Sequence, residues 1–298
     1  MMILGDSYIK RNTVFGEKEI LSYETDDFLS IPQKVYKYVD LTTAYARESL
    51  KEDYLWFSDP ATFNDPFDCK TWFAYHMLAD DEVLCRNYYE FHVAKDYPLL
   101  SHDKQQMLIS HNVQNMLSNK SNVEFFEDMD RQALDFRLNG LKEFGVLCTC
   151  MINDNILLWS HYANKHKGIC LGLKTDKLLE KYFENGEMGA GEVHYGEFPL
   201  ITPVHTENQE VILDLFKPMI LSKAPFWNYE LEYRFTDYPC LHRKKPIGDI
   251  LDSVYMGFDI SADDESFIKE VCKSKGVKLY KSKKVFFKYE IEFVEVDY

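Results

Sequence analysis

The sequence has 298 residues, is 46% hydrophobic and 28% charged, and carries a formal net charge of −15. That acidic balance excludes bulk electrostatic coating of nucleic acid, and an aromatic content of 15% excludes a disordered chain. Seven cysteines, irregularly spaced and without a Cys-x-x-Cys pair, fit buried thiols in a reducing compartment rather than a disulfide framework or a structural zinc site.

Residues 1–34 are mixed and polar and read as a lead-in, with no charged n-region or apolar stretch of a signal peptide. No run approaches the roughly 18 apolar residues of a membrane span, so a cytoplasmic protein without membrane contact is expected. Val35–Val39 is β-rich, Leu41–Leu50 reads as a helix, and Tyr54–Ser58 as a second strand. Asp59-Pro60 and Asn64-Asp-Pro66 mark turns after it. From about 75 to 143 the pattern is helical and reads as an insertion, with Ser101 as one N-cap and Ser121-Asn-Val-Glu124 as a capping box.

Strands return at Phe144–Cys150 and Gly168–Leu173, separated by a short helix over Asn155–Asn164. A short strand at Val193–Tyr195 and a helix from Thr206 towards Leu221 follow. Over Trp227–Phe235, Glu230, Glu232 and Arg234 alternate with Leu231, Tyr233 and Phe235, the period of a strand with one charged face. The chain closes with strand Ser253–Gly257, a helix over Ser261–Ser274 ending at Gly276, and strands near Val277–Tyr280 and Val285–Val294. Strands interleaved with helices at irregular intervals predict one α+β domain over 35–298, with a single mixed, mostly antiparallel sheet.

Three clusters could carry chemistry. Asn64 and Asp65, with Asp68 after them, form either a rigid corner or a polar site. In Leu158–Gly168, Trp159 and Tyr162 share a helical face. His161 there is either a satisfied histidine bonded to the Asn64-Asp65 corner or a ligand contact. In the third cluster, Arg234 would hold Glu230 and Glu232 ionised and oriented. No P-loop, Gly-x-Gly-x-x-Gly or His-Glu-x-x-His occurs, which disfavours nucleotide kinases, Rossmann enzymes and zinc proteases.

Four motifs occur in order: Tyr36-Lys-Tyr38; Leu55-Trp-Phe-Ser58 with Phe63-Asn-Asp-Pro-Phe-Asp68; Asp154-Asn155 with Trp159-Ser-His-Tyr-Ala163 and Lys167-Gly168; and Trp227 with Glu230, Glu232, Tyr233 and Arg234. On these the chain resembles domain-of-unknown-function family 2971, from about residue 35 to about 290. The resemblance implies a bacterial protein of uncharacterised activity, some of whose relatives look like abortive-infection proteins of phage defence.

A second resemblance is to the ADP-ribosyltransferase fold. It implies Lys37 on an early strand, Trp56 and Ser58 on the next, and Glu230 and Glu232 on a later one. Those enzymes carry Arg or His where this chain has Lys37. On that resemblance NAD is the substrate and no metal is needed, whether the product is an ADP-ribosylated acceptor or free ADP-ribose. Glu232 supports the ribosyl cation, Glu230 orients the acceptor, and Trp159, Tyr162, Asn64 and Asp65 contribute to binding. Two alternatives stand beside it: a divalent-metal nuclease using Asp65, Asp68, His161, Glu230 and Glu232, and a non-enzymatic sensing or interaction module. The small molecule or macromolecular acceptor is unspecified.

Overall fold

The computed structural model describes residues 31–70, 73–183, 188–196 and 218–298. In chain order the first elements are β1 (Lys34–Val39), α1 (Ala44–Lys51) and β2 (Tyr54–Trp56). Helices α2 (His76–Asp80), α3 (Glu82–Asp96), α4 (His102–Ser118) and α5 (Val123–Lys142) follow. Next come β3 (Gly145–Cys150), α6 (Ile156–His161), β4 (Ile169–Lys174), α7 (Thr175–Phe183), β5 (Met188–Glu192) and β6 (His194–Tyr195). The last are β7 (Ser222–Lys223), β8 (Glu232–Asp237), β9 (Lys244–Pro246), β10 (Leu251–Met256), α8 (Ala262–Lys275), β11 (Lys278–Lys284) and β12 (Ile291–Glu295).

Eight strands form one sheet in the order β12-β11-β10-β4-β1-β3-β8-β5. Within this sheet, among the described residues, β10 and β11 are the one parallel pair, with α8 as their crossover, and the other pairs are antiparallel; the short β6 and β7 pair separately, in parallel. The chain is therefore α+β with a mixed, mostly antiparallel sheet, as the interleaved pattern predicts. Helix α8 has a complete set of end signals. The Ser261 hydroxyl accepts from Asp264 N at 3.1 Å, three acids fill the first turn, and Gly276 takes the left-handed C′ position at φ 64°. Helices α2–α5 enclose an apolar cluster of their own around Leu78, Val93, Ile109, Val113 and Met116.

Each face of the sheet buries a different population. Val35, Leu147, Leu171, Leu173, Tyr233 and Phe235 belong to the large aliphatic core on one side. On the other, Tyr38, Cys150, Cys170 and Tyr255 pack with Trp159 of α6. The register Tyr36↔Cys150↔Glu232 puts Glu232 and Arg234 on this second, aromatic face. Gly168 allows β4 to start beside β1, because a Cβ there would lie 2.2 Å from the Val39 carbonyl oxygen.

Several elements differ from the sequence reading. The α5 cap is Asn122, whose side chain accepts from Phe125 N at 3.2 Å, so the expected Ser121 box does not form. Helix α7, whose Leu178, Leu179 and Tyr182 recur at helical spacing, is absent from the sequence reading; strands β5 and β9 carry no clear period, and β5, Met-Gly-Ala-Gly-Glu, hides its strand behind two glycines. Val285–Glu290 is a turn closed by Val285 N on the Glu290 carbonyl at 3.0 Å, which leaves only Ile291–Glu295 as strand. The predicted helix start at Thr206 and most of the lead-in lie outside the described residues.

Candidate functional site: a buried carboxylate cluster

The stretch that reads as one strand in sequence is two structures. Pro225–Glu230 is a 3-10 turn, Leu231 is left-handed at φ 44°, and β8 begins at Glu232. Glu230 therefore does not share a strand face with Glu232 by alternation. Tertiary ties override the strand pattern: the Asn155 amide donates to the Tyr229 carbonyl at 2.5 Å, and Tyr162 OH donates to Glu230 Oε1 at 2.7 Å. A left-handed non-glycine residue costs on the order of 1–2 kcal/mol, which those bonds must offset.

The two glutamates meet all the same, through a lysine. Lys223 Nζ donates to Glu232 Oε1 at 2.6 Å and pairs closely with Glu230 Oε2, with Asp68 Oδ2 at 3.6 Å. Arg234, fully buried, donates to Glu232 through Nε at 2.8 Å and Nη2 at 3.1 Å. It also holds Asp68 through Nη1 at 2.9 Å and Nη2 at 2.7 Å, and reaches the Ile220 carbonyl at 2.6 Å. Phe63 lies against the guanidinium, 5.4 Å from ring centroid to Cζ. Three carboxylates thus surround two cations, all buried.

That surplus of one negative charge separates the two glutamates. Burial pushes Glu230 up to about 7, and the neighbouring Glu232 adds to the effect. Burial also opposes ionisation of Glu232, but Arg234 and Lys223 outweigh it and hold that carboxyl well below its ordinary range. Burial likewise opposes charge on Lys223, whose pKa is nevertheless raised by the two glutamates. With Glu230 protonated the cluster is balanced, two cations against two anions.

Aromatic rings lie around Glu230. Tyr162 and Tyr229 are half-buried, His161 is exposed and 6.4 Å from the Tyr229 ring, and Trp227 lies 6.1 Å from Tyr229. Lys223 Nζ sits 4.8 Å from the Trp227 centroid. Helix α6 presents Tyr162 because Asn155 caps it, accepting from Leu157 N at 3.0 Å and Leu158 N at 3.2 Å. Trp159 anchors the helix below, donating its indole N–H to the Asn153 carbonyl at 2.7 Å and packing edge-on to Tyr38.

Of the residues singled out in the sequence, Glu230, Glu232, Arg234 and Tyr162 are brought together, with Trp159 as the anchor of α6. Lys37 is not. Strand alternation places it with Val35 on the aliphatic face, where it donates to the Cys148 carbonyl at 3.3 Å. Burial pushes its pKa down. Trp56 is 44% exposed on β2, and Ser58 is bridged to Val146 through backbone. Asn64 is exposed, and Asp65 accepts from Phe67 N at 2.9 Å, the rigid-corner use of such a turn. Among the described residues no hydrogen bond joins Trp56, Ser58, Asn64 or Asp65 to the carboxylates, nor His161 to the Asn64-Asp65 corner.

Sequence reasoning missed Lys223 and undervalued Asp68. Lys223 stands in Leu221-Ser-Lys-Ala-Pro225, which has no periodic or motif signal. Asp68 ends the motif Phe63-Asn-Asp-Pro-Phe-Asp68, yet only the fold reveals it as the second carboxylate of Arg234. Tyr195, whose hydroxyl accepts from Glu232 N at 2.8 Å, had no signal either.

Residues 158–235 match the family model described as "Protein of unknown function (DUF2971)", which bears out the family resemblance read from the motifs. The matched segment runs from α6 through most of β8 and contains Tyr162, Lys223, Glu230, Glu232 and Arg234. Asp68 comes from outside it. No curated protein and no solved structure matches the chain.

Proposed function

We propose that this protein, which matches the DUF2971 family model over residues 158–235, is a metal-independent enzyme in which Glu230 performs acid–base chemistry on an N-glycosidic bond, with NAD as the candidate substrate. The observation that carries this reading is the position of Glu230. It is the one carboxylate of the cluster that bonds outward to a half-buried tyrosine, while Asp68 and Glu232 are held by Arg234. A carboxyl poised near neutrality can both accept and release a proton, and an ionised neighbour favours developing positive charge. The roles therefore shift from those implied by the ADP-ribosyltransferase resemblance: Glu230 is the acting group and Glu232 the fixed anion.

In the reaction, the bond between ribose C1′ and the nicotinamide nitrogen breaks, and nicotinamide leaves with the bonding pair as a neutral molecule. The oxygen of water or of an acceptor hydroxyl forms the new bond to C1′. Its proton passes to ionised Glu230. The oxocarbenium-like charge that develops lies within the field of Glu232. Tyr162 holds the Glu230 carboxylate in place, and Trp227, Tyr229 and His161 offer rings to a planar leaving group. Metal-free chemistry is supported by each carboxylate already having Lys223 or Arg234 as an ion-pair partner.

The test is NAD turnover by the wild type, Glu230→Gln and Glu232→Gln, each with and without EDTA. Turnover that survives EDTA and falls at least about 100-fold in Glu230→Gln is expected for a general acid–base group. Unchanged turnover in Glu230→Gln would remove the reading. A second reading, a non-enzymatic module, is favoured by the ion pairing of every carboxylate in the cluster. Absence both of turnover and of any NAD-dependent rise in melting temperature would select it.

A further inference from the structure

The hairpin of β11 and β12 ends in the turn Val285–Glu290, closed by Val285 N on the Glu290 carbonyl at 3.0 Å and Lys288 N on the Val285 carbonyl at 3.3 Å. Phe286, Phe287 and Tyr289 crowd this turn and are 81%, 93% and 96% exposed. The two phenylalanine rings lie 4.0 Å apart, centroid to centroid. Single apolar side chains are ordinary on a surface, but three large rings on one turn form a patch. The monomer gains little from them, because rings so exposed bury almost no apolar area. Phe287 even carries strain: it is left-handed at φ 64°, where glycine or asparagine sits more easily.

The charges beside these rings are of both signs. Between 283 and 292 the chain has Lys283, Lys284 and Lys288 against Glu290 and Glu292, in a protein of net charge −15. Lys283 pairs with Glu292 at 3.0 Å and Lys288 with Glu290 at 3.4 Å, and all four side chains are more than half exposed. Ion pairs this wet are worth at most about 1 kcal/mol, so they exchange readily for equivalent pairs with another molecule. Lys284 is exposed and has no carboxylate within ion-pair distance among the described residues; its ammonium lies 4.4 Å from the Phe258 centroid. An acidic chain thus carries an aromatic tip with a slight local excess of positive charge.

We propose that the β11–β12 tip is a contact surface for a second copy of this chain. In a two-fold contact one patch serves both copies, so rings meet rings and the lysines of each tip lie near the glutamates of the other. A rim of mixed sign complements itself, whereas the overall negative charge disfavours nucleic acid or anionic lipid as the occupant. That charge also opposes self-association, but least at the tip, because exposed charges more than about 8 Å apart are largely screened at physiological salt. Three rings of roughly 200 Å² each amount to about 1,000 Å² over two copies, the low end of a specific interface, so the dimer is weak and reversible. The tip belongs to the edge strand β12 and its neighbour, and the proposal is independent of Glu230.

Sedimentation velocity on the full chain, from low to high micromolar concentration, tests this. A reversible monomer–dimer equilibrium with a micromolar Kd is expected. Phe286→Ser combined with Phe287→Asn should weaken it at least about tenfold, since aromatic anchors carry much of the energy of an interface. Lys284→Glu, which reverses the unpaired charge, should weaken it about threefold. Melting temperatures of the dilute variants should be preserved, because all three side chains are exposed and asparagine tolerates a left-handed backbone. The proposal is overturned by a chain that stays monomeric throughout, or by a dimer unchanged in the double phenylalanine variant. A monomer that co-sediments with phosphatidylglycerol vesicles through the same two phenylalanines also overturns it, and assigns the tip to a lipid surface.

Discussion

Two buried arginines in this protein solve the same problem differently. In α5, Arg137 meets Asp130 through two bonds of 2.7 and 2.8 Å, and Asp130 also accepts from Phe73 N at 2.9 Å. Asp130 is the carboxylate paired with Arg137, and Phe73 lies against the guanidinium. Arg234 instead shares Asp68 and Glu232 with Lys223, which also holds Glu230. The sheet cluster carries an extra carboxylate, and its protonation decides whether the charges balance. A buried ion pair is therefore a poor marker of function by itself; an unmatched carboxylate linked to a half-buried tyrosine is a better one.

The largest effect expected from this difference is at Arg234. Arg234→Met leaves three buried carboxylates with Lys223 as their one remaining cation among the described residues and should cost about 3–5 kcal/mol by urea denaturation, or prevent folding. Arg137→Met strands one carboxylate and should cost less. Equal losses would break the distinction.

Next comes the pH dependence. Folded Glu230 keeps its proton up to about 7, whereas the unfolded group releases it near 4.5. Over that window the native state binds more protons, so stability falls as pH rises, by up to about 3 kcal/mol. Glu230→Gln should flatten this fall. Glu232 acts in the opposite sense, its contribution being lost only as pH drops below the ordinary carboxylate range. Thermal melts from pH 4 to 8 in both proteins check the sign; an unchanged slope in the variant would move the titration elsewhere.

The smallest effect is expected from replacing the matched pair as a pair. Asp130→Leu with Arg137→Met should lie within about 1 kcal/mol of the wild type, because a buried pair exchanged for apolar volume is often neutral. A large loss would show that the Phe73 N–H bond to Asp130 dominates there.

Much of this was legible in the sequence. The α8 boundaries follow from Ser261 and Gly276. The sheet strands with β-branched or aromatic alternation appear within a few residues of their expected places, and the motifs led directly to Glu230, Glu232, Arg234 and Tyr162. Local signals act over a few residues, and a cap, a period or a turn is such a signal. Lys37 shows the limit. Its order in the chain suited a site residue, but alternation along β1 turns it to the opposite face from Glu232.

The sequence by itself determined the α+β class, the helical character of residues 75–143 and the family resemblance, because each rests on short-range pattern or on motif order. Only the tertiary structure decided that Glu230 leaves the strand, that Lys223 joins three carboxylates, and that Asp68, more than 160 residues before Arg234, is its second partner. Those are long-range contacts whose electrostatic energy depends on distance and burial, and neither quantity is written in the order of the residues.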